Sequence, residues 1–486
     1  MSNYSSSDFE QDKEFKQALA QYEEMKAGER TSYFDADQLA DFAEYYASIQ
    51  KYTEAFEVID FALSIHPANT EVLVIKAHIL IDLGKIEEAK ETTFSISEGY
   101  SRDVKMLKAE LLILDKKLEE ADLLLQEIIN QDENDEEDNW LDIAYLYTDS
   151  DLPEQALPWF EKAFKANSEN NEIRFSLAEC YGQCKQLDKG AVLYNELLDK
   201  DPYNIMYWFD LGRFYYTAEE YNKALEAYEF ALAIEADHPG SILMTAHSYF
   251  KLENFEKSCE YYEKYEKIDP TSGITVFFTG LCYFNLKNYE KCIQKFKDAL
   301  DINQELAPET IDIYTYIALS YSELGQLDEA IHYIDLAINE DPTYADSYLT
   351  KGRIYLENED LKQAAVNFEK AIKLNPEDPK TFSEMGSIYF ENKMYDLALK
   401  CFETVEFYSP GYDNNYIFMA YTNAALGKIE DFNHYFIQAT KQNPDNILDS
   451  INYLPEEEAD LKQLIIDLEK AIEEDEKLNI RKSNFN

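Results

Sequence analysis

Little in this chain breaks a helix. Its 486 residues include 13 prolines and 14 glycines, too few for an all-β or loop-rich chain, because those residues punctuate turns. Cysteine is scarce as well. Cys180, Cys184, Cys259, Cys282, Cys292 and Cys401 form no C-x2-C pair and no ladder of bridges, which excludes a disulfide scaffold and fits a reducing compartment. Basic charge is in deficit: 44 Lys and Arg stand against 97 Asp and Glu, a net charge of −53. Such a field repels nucleic acid and anionic lipid, so neither is expected as a partner. Long uncharged apolar runs are missing, and no segment is expected to span a membrane. The start, MSNYSSSDFEQDKEF, has no basic region and no apolar core of a secretory signal, so a cytoplasmic protein is expected.

Catalytic signatures are missing too. There is no G-x-G-x-x-G, G-x4-G-K-[ST], G-x-S-x-G or H-E-x-x-H. His66, His78, His238, His247, His332 and His434 are scattered and make no ligand set. The reading is therefore of a non-enzyme with no catalytic residue, no metal site and no cofactor. Cys180 and Cys184 lie one helical turn apart without further ligands nearby, and Cys292 reads as a small core residue. The acidic run Asp132, Glu133, Asp135, Glu136, Glu137, Asp138 lacks the glycine and terminal glutamate of a calcium loop and reads as a solvated connection.

What is present is repetition. Hydrophobic residues make up 45% and aromatics 14% of the chain, with 38 tyrosines, too apolar for disorder. Tyr181, Tyr215, Tyr249 and Tyr283 recur every 34 residues, as do Pro342, Pro376, Pro410 and Pro444. Proline at that place ends a helix, since the residue before it is pushed out of the helical region. Paired small residues twelve apart run from Ala43 and Ala55 through Gly212 and Ala224 to Ala420 and Phe432, about twelve units in all. Two phase breaks interrupt the count: one near residues 100–138, the other between Gly280 and Ala318, around Pro308.

The clearest unit runs from Ile205 to His238, with Trp208, Leu211, Gly212 and Tyr215 in its first half and Ala224, Tyr228 and Ala231 in its second. That pattern, W-x2-L-G-x2-Y then A-x3-Y-x2-A, resembles the tetratricopeptide repeat. The resemblance implies an all-α, right-handed superhelical solenoid of about twelve helix-turn-helix repeats with terminal capping helices. Expected boundaries are residues 1–35 for an amino-terminal capping helix, 36–446 for the array, and 447–486 for carboxyl-terminal capping helices and a loose tail. The first cap rests on Phe15, Leu19, Tyr22 and Met25, and the last on the stripe Leu461, Leu464, Ile465, Leu468 and Ile472.

The resemblance also implies where a partner would lie, because in this family the first helices of successive units line a concave groove. At its second, fifth, ninth and twelfth places the early repeats offer Asp37, Glu44, Glu71, Asp103, Glu110, Asp138 and Glu179, an acidic stretch. The middle offers Phe209, Arg213, Tyr216, His247, Phe250, Phe277 and Phe284, and later repeats offer Arg353, Leu356 and Phe390. Rigid aromatics with an interspersed arginine suit a binding hot spot; the competing reading is that these rings pack against neighbouring helices. The trio of basic groove residues that family members use to grip a carboxyl terminus is missing. The function expected is a monomeric interaction scaffold or adaptor for a protein or peptide, with a basic or apolar client. The alternative is a small-ligand or enzymatic site at a phase break.

Overall fold

Many repeats begin where a polar side chain caps a helix. Asn170 accepts from the backbone N–H groups of Glu172 and Ile173, and Asn204 from those of Met206 and Tyr207. Asp35 and Gln38 form a reciprocal capping box. These bonds satisfy donors that a helix start leaves unpaired.

The computed structural model describes residues 13–28, 32–98, 100–131, 136–302 and 310–442. Within them the chain is all α-helix. Helix α1 spans Lys13–Lys26 and is followed by pairs: α2 Ala36–Ser48 with α3 Tyr52–Ile65, α4 Thr70–Asp82 with α5 Ile86–Ser95, α6 Arg102–Leu114 with α7 Leu118–Gln131, and α8 Glu136–Asp149 with α9 Pro153–Ala166. Next come α10 Asn171–Gln183 with α11 Leu187–Lys200, α12 Ile205–Thr217 with α13 Tyr221–Ile234, α14 Pro239–Lys251 with α15 Phe255–Glu266, and α16 Gly273–Asn285 with α17 Tyr289–Ile302. The last four are α18 Thr310–Glu323 with α19 Leu327–Glu340, α20 Ala345–Glu357 with α21 Leu361–Leu374, α22 Pro379–Glu391 with α23 Tyr395–Tyr408, and α24 Asn415–Ala425 with α25 Ile429–Gln442. The chain divides into a first unit up to Ala227 and a second from Tyr228.

One residue in the left-handed region closes each pair's turn. Gln50, Gly84, Lys116, Asp151, Lys185, Glu219, Glu253, Lys287, Gly325, Glu359, Lys393 and Gly427 hold that place with φ between 56° and 72°. At Lys185 the effect is visible: the next N–H, of Gln186, reaches back 2.8 Å to the Tyr181 carbonyl and satisfies the end of α10. Pro342, Pro376 and Pro410 follow the ends of α19, α21 and α23.

The small residues picked out by the period lie where helices touch. Ala77, Ala89, Ala109, Ala121, Ala144 and Ala156 have 0% exposure, as has Cys292 in its alanine place. Large rings fill the space beside them, Tyr147, Phe160 and Tyr194 among the fully buried ones. Trp208 is half-buried and its indole N–H donates to the Pro202 carbonyl at 2.9 Å. At the amino terminus α1 lays Phe15 and Tyr22 against Phe42, with ring centroids 5.7 and 5.5 Å apart. The carboxyl-terminal capping stripe expected over 447–486, residues 132–135 of the acidic run, and residues 303–309 of the second phase break lie outside the described residues.

Candidate interaction surface

Within each unit many of the first helices of successive repeats touch one another. In the first unit α2 packs on α4, α4 on α6 and α10 on α12; in the second, α16 packs on α18, α18 on α20, α20 on α22 and α22 on α24. Second helices make no comparable contact with each other among the described residues. In a curved array the closer row lies on the inside, and this row carries the candidate groove residues.

The inner row of the first unit is crowded with carboxylates. Glu71, on α4, is pushed up to about 7 by partial burial, by a hydrogen bond with Asp37 on α2, and by the charges of Asp41 and Asp103. Like charges at this spacing disfavour double ionisation, so the pair holds on to a proton. Asp82 and Asp149 are also raised, chiefly by burial, and Glu110 adds to both. Glu110 itself meets His78 Nδ1 at 3.0 Å. Glu44 is half-buried on α2, and Glu179 accepts a hydrogen bond from the Tyr194 hydroxyl. Arg102 donates to Asn139 at 2.8 Å and to Asp142.

Further along the same unit, Phe209 and Tyr216 are half-buried, and Tyr216 meets Tyr221 edge to face at 5.4 Å. Arg213 keeps 51% of its side chain exposed while reaching Asp210 at 3.4 Å. Burial raises Asp210 to about 6 in spite of that arginine.

In the second unit most of the candidate rings face other rings. His247 and the Tyr262 hydroxyl hydrogen-bond at 2.5 Å, and burial lowers the imidazole's proton affinity. Phe250 contacts Phe255 and Phe278, both at 5.5 Å, and Phe277 is buried against Phe296 at 5.6 Å. Phe284 lies between Tyr289 at 5.9 Å and Tyr316 at 5.1 Å. Leu356 and Phe390 are buried. Arg353 is clamped by Glu357 at 2.7 Å and Glu391 at 3.1 Å, so its charge is committed within the fold.

Several inner-row groups fall outside the four places sampled from the sequence. Asp82, Asp149 and Asp210 are among them, and so are Glu323, Glu357 and Glu391, which recur every 34 residues around Arg353. That recurrence was readable; the burial that raises the aspartates was not. Chemically, the described residues offer charge and apolar surface. Among them no group of His, Cys, Asp or Glu is arranged to hold a metal ion, and burial pushes the thiols of Cys180, Cys282, Cys292 and Cys401 up to about 12, which leaves them protonated and poor nucleophiles. No described helix is long and apolar enough to cross a membrane.

Comparison with known proteins bears on the repeats themselves. Profiles of the tetratricopeptide repeat match residues 141–205 and 70–92. Residues 175–334 match the middle TPR-like domain of cilia and flagella-associated protein 70, and 275–402 the auxiliary subunit of N-terminal acetyltransferase A. No curated relative matches the sequence. Among solved structures, a tetratricopeptide repeat protein from Parabacteroides merdae is 17% identical over 59% of this chain and 98% of its own, with a TM-score of 0.41. Yeast Tom70 is 15% identical over 97% of this chain and 95% of its own, with a TM-score of 0.41. The Cut9 and Hcn1 hetero-tetramer of the APC/C gives 14% identity over 85% of this chain and 95% of that one, with a TM-score of 0.33. With the helix pairs, their buried small residues and the matching repeat profiles in agreement, the chain belongs to the tetratricopeptide repeat family.

Proposed function

We propose that this protein is a non-catalytic interaction scaffold that holds a protein or peptide segment along the inner row of its first helices, working as a monomer in the cytosol. The observation that carries this reading is the inner face of the first unit. Glu71 is raised to about 7 in the company of Asp37, Asp41 and Asp103, which means negative charge that nearby cations do not offset. A lysine- or arginine-rich segment relieves that repulsion and is drawn in by the long-range field of a chain carrying −53 charges. Phe209, Arg213 and Tyr216 supply apolar and hydrogen-bonding surface in the same unit. In the second unit the half-buried His247, Phe250 and Phe284 are proposed as a separate and more apolar stretch, with Phe277 packed beneath them and Arg353 held by Glu357 and Glu391. The free thiols at all six cysteines support the compartment.

Fluorescence anisotropy with a short lysine-rich peptide and a glutamate-rich peptide of equal length tests the reading. The lysine-rich peptide is expected to bind, more tightly at pH 7.5 than at pH 5.5, because Glu71 ionises fully only above about 7. A Glu71→Gln, Asp103→Asn, Glu110→Gln variant is expected to bind about tenfold more weakly. Equal affinity of the variant and the parent chain removes the inner face of the first unit as the binding surface.

A further inference from the structure

On the opposite side of the first unit, where second helices face outward, the gap between α9 and α11 opens into a cleft of about 530 Å³. Its floor is Leu177 and Tyr181 of α10, and its walls are Phe164, Val192 and Leu193. Val192 is 54% exposed at the mouth. Leu177, Tyr181 and Leu193 are buried, so what the cleft opens to water is chiefly Val192 and part of Phe164, and their apolar character asks for a reason.

The repeat pattern accounts for Leu177 and Tyr181, which stand where Leu211 and Tyr215 do one repeat later, but not for the apolar walls. Three repeats further on, in the second unit, the same places are polar: Glu266 stands where Phe164 does, Thr279 where Leu177 does, and Lys295 where Leu193 does. There they close on each other, Thr279 donating to Glu266 at 2.6 Å and Lys295 to the same carboxylate at 2.5 Å. The outward place of Val192 is held by Glu226, Glu260 and Gln294 in the repeats that follow. The repeat therefore accepts a polar version of this gap, and the first unit carries an apolar one instead.

The rim of the cleft identifies what it takes. Lys189 lies over the Tyr181 ring at 5.1 Å, engaged by the fold. The acids Glu161 and Asp188 are both exposed at the rim, and Glu161 accepts from the Tyr181 hydroxyl at 2.8 Å. We propose that the cleft between α9 and α11 docks an amphipathic helix of a partner protein, which inserts one apolar side chain onto Leu177 and Tyr181 and places a lysine or arginine against Glu161 and Asp188. A cleft of this volume has room for a leucine, methionine or phenylalanine side chain, the kind of anchor used in helix-in-groove recognition. This surface is distinct from the inner row and stands or falls separately from it.

The probe is a short helical peptide with a leucine stripe bordered by lysines, compared with a peptide of the same composition in which the stripe is scrambled, both against the full-length chain. The striped peptide is expected to bind about tenfold more tightly than the scrambled one. Val192→Glu, which installs the residue found at Glu226 and Glu260, is expected to abolish that difference with its circular dichroism and melting temperature unchanged. The substitution adds negative charge, so attraction by net charge alone would strengthen binding. Unchanged or tighter binding by Val192→Glu overturns the proposal, and so does sensitivity to Glu71→Gln alone, which would place the peptide in the inner groove. Sedimentation that shows a concentration-dependent dimer lost in Val192→Glu overturns it in favour of a second copy of this chain.

Discussion

At Gly386 the approach of two helices depends on one missing methyl group. A Cβ there would collide with the ring of Phe402, and the same holds for Gly352 against Phe368 and Gly280 against Phe296. Where the first helix carries Ala318 instead, the residue at the matching place of the second helix is Ile334. Elsewhere, as at Ala144 with Phe160 and Ala420 with Phe436, a methyl and a ring share these two places, so the close approach belongs to the three glycine repeats. Gly386→Ala is expected to lower stability by about 1–3 kcal/mol through overpacking, and Phe402→Leu added to it is expected to recover part of the loss, a favourable coupling that urea denaturation of the four chains measures. Simple additivity would show that the added methyl and the ring do not interact. At this scale the small residues were legible in the sequence, because they repeat. Their partners sixteen residues on were not paired with them, since Phe, Tyr and Ile at that place all read alike as apolar. The left-handed turn residues were equally hidden: Lys185, Glu219 and Lys393 hold a conformation that favours glycine, and nothing in a lysine or glutamate signals it.

Between elements, the 34-residue tyrosines do more than mark the period. Lys189, Lys223, Lys257 and Lys291, each eight residues later, lie over Tyr181, Tyr215, Tyr249 and Tyr283 at 5.1, 5.5, 4.8 and 4.8 Å. From the preceding repeat Glu161 and Glu263 accept from the hydroxyls of Tyr181 and Tyr283 at 2.8 and 2.5 Å. At Tyr181 and Tyr283 an acid before and a lysine after clasp the ring, joining one repeat to the next. After the second phase break the polarity reverses. Glu329 occupies the lysine place, and Lys297 the acid place, where its ammonium lies 5.4 Å from the Tyr321 ring and 5.3 Å from Tyr333 and donates to the Tyr321 hydroxyl at 3.0 Å. The exchange keeps a cation on one side of the tyrosine and an acid at the other place. Lys297→Glu leaves two acids flanking Tyr321 and is expected to cost about 1–2 kcal/mol. Lys297→Glu with Glu329→Lys restores the arrangement of the earlier repeats and is expected to recover most of it. Equal melting temperatures of the single and double variants would sink the clasp. The lysine period was visible in the sequence but indistinguishable there from an ordinary solvated face, because only the fold brings Lys297 from one repeat over the tyrosines of the next.

For the whole molecule, charge is the property that the sequence states most plainly and the structure qualifies most. The acidic first third was legible as Asp37, Glu44, Glu71, Asp103 and Glu110 at recurring places. What was not legible is which carboxylates hold protons, because that follows from burial. Glu71 at about 7 and Asp210 at about 6 both lie above ordinary carboxylate values. For an acid raised on folding, the native chain binds more protons than the unfolded one; its stability is complete below the unfolded value and falls as pH climbs through the folded value. Asp115, Asp269, Asp341 and Glu369, lowered by their partners, act in the opposite sense and only at lower pH. Between about 4.5 and 7, therefore, the raised groups govern and stability declines with rising pH. Repulsion among 97 acids acts in the same direction, and salt screens it: the Debye length shrinks from about 30 Å at 0.01 M to about 8 Å at 0.15 M. The melting temperature is expected to rise with added sodium chloride, and to rise more at pH 7.5 than at pH 5.5, where Glu71 and part of Asp210 are already neutral. Calorimetric scans at two salt concentrations and both pH values measure this. A melting temperature that falls with salt at pH 7.5 would mean that ion pairs such as Lys295 with Glu266 and Lys351 with Asp335, at 2.5 and 2.6 Å, outweigh the repulsion, and that the acidic inner face is not under electrostatic stress.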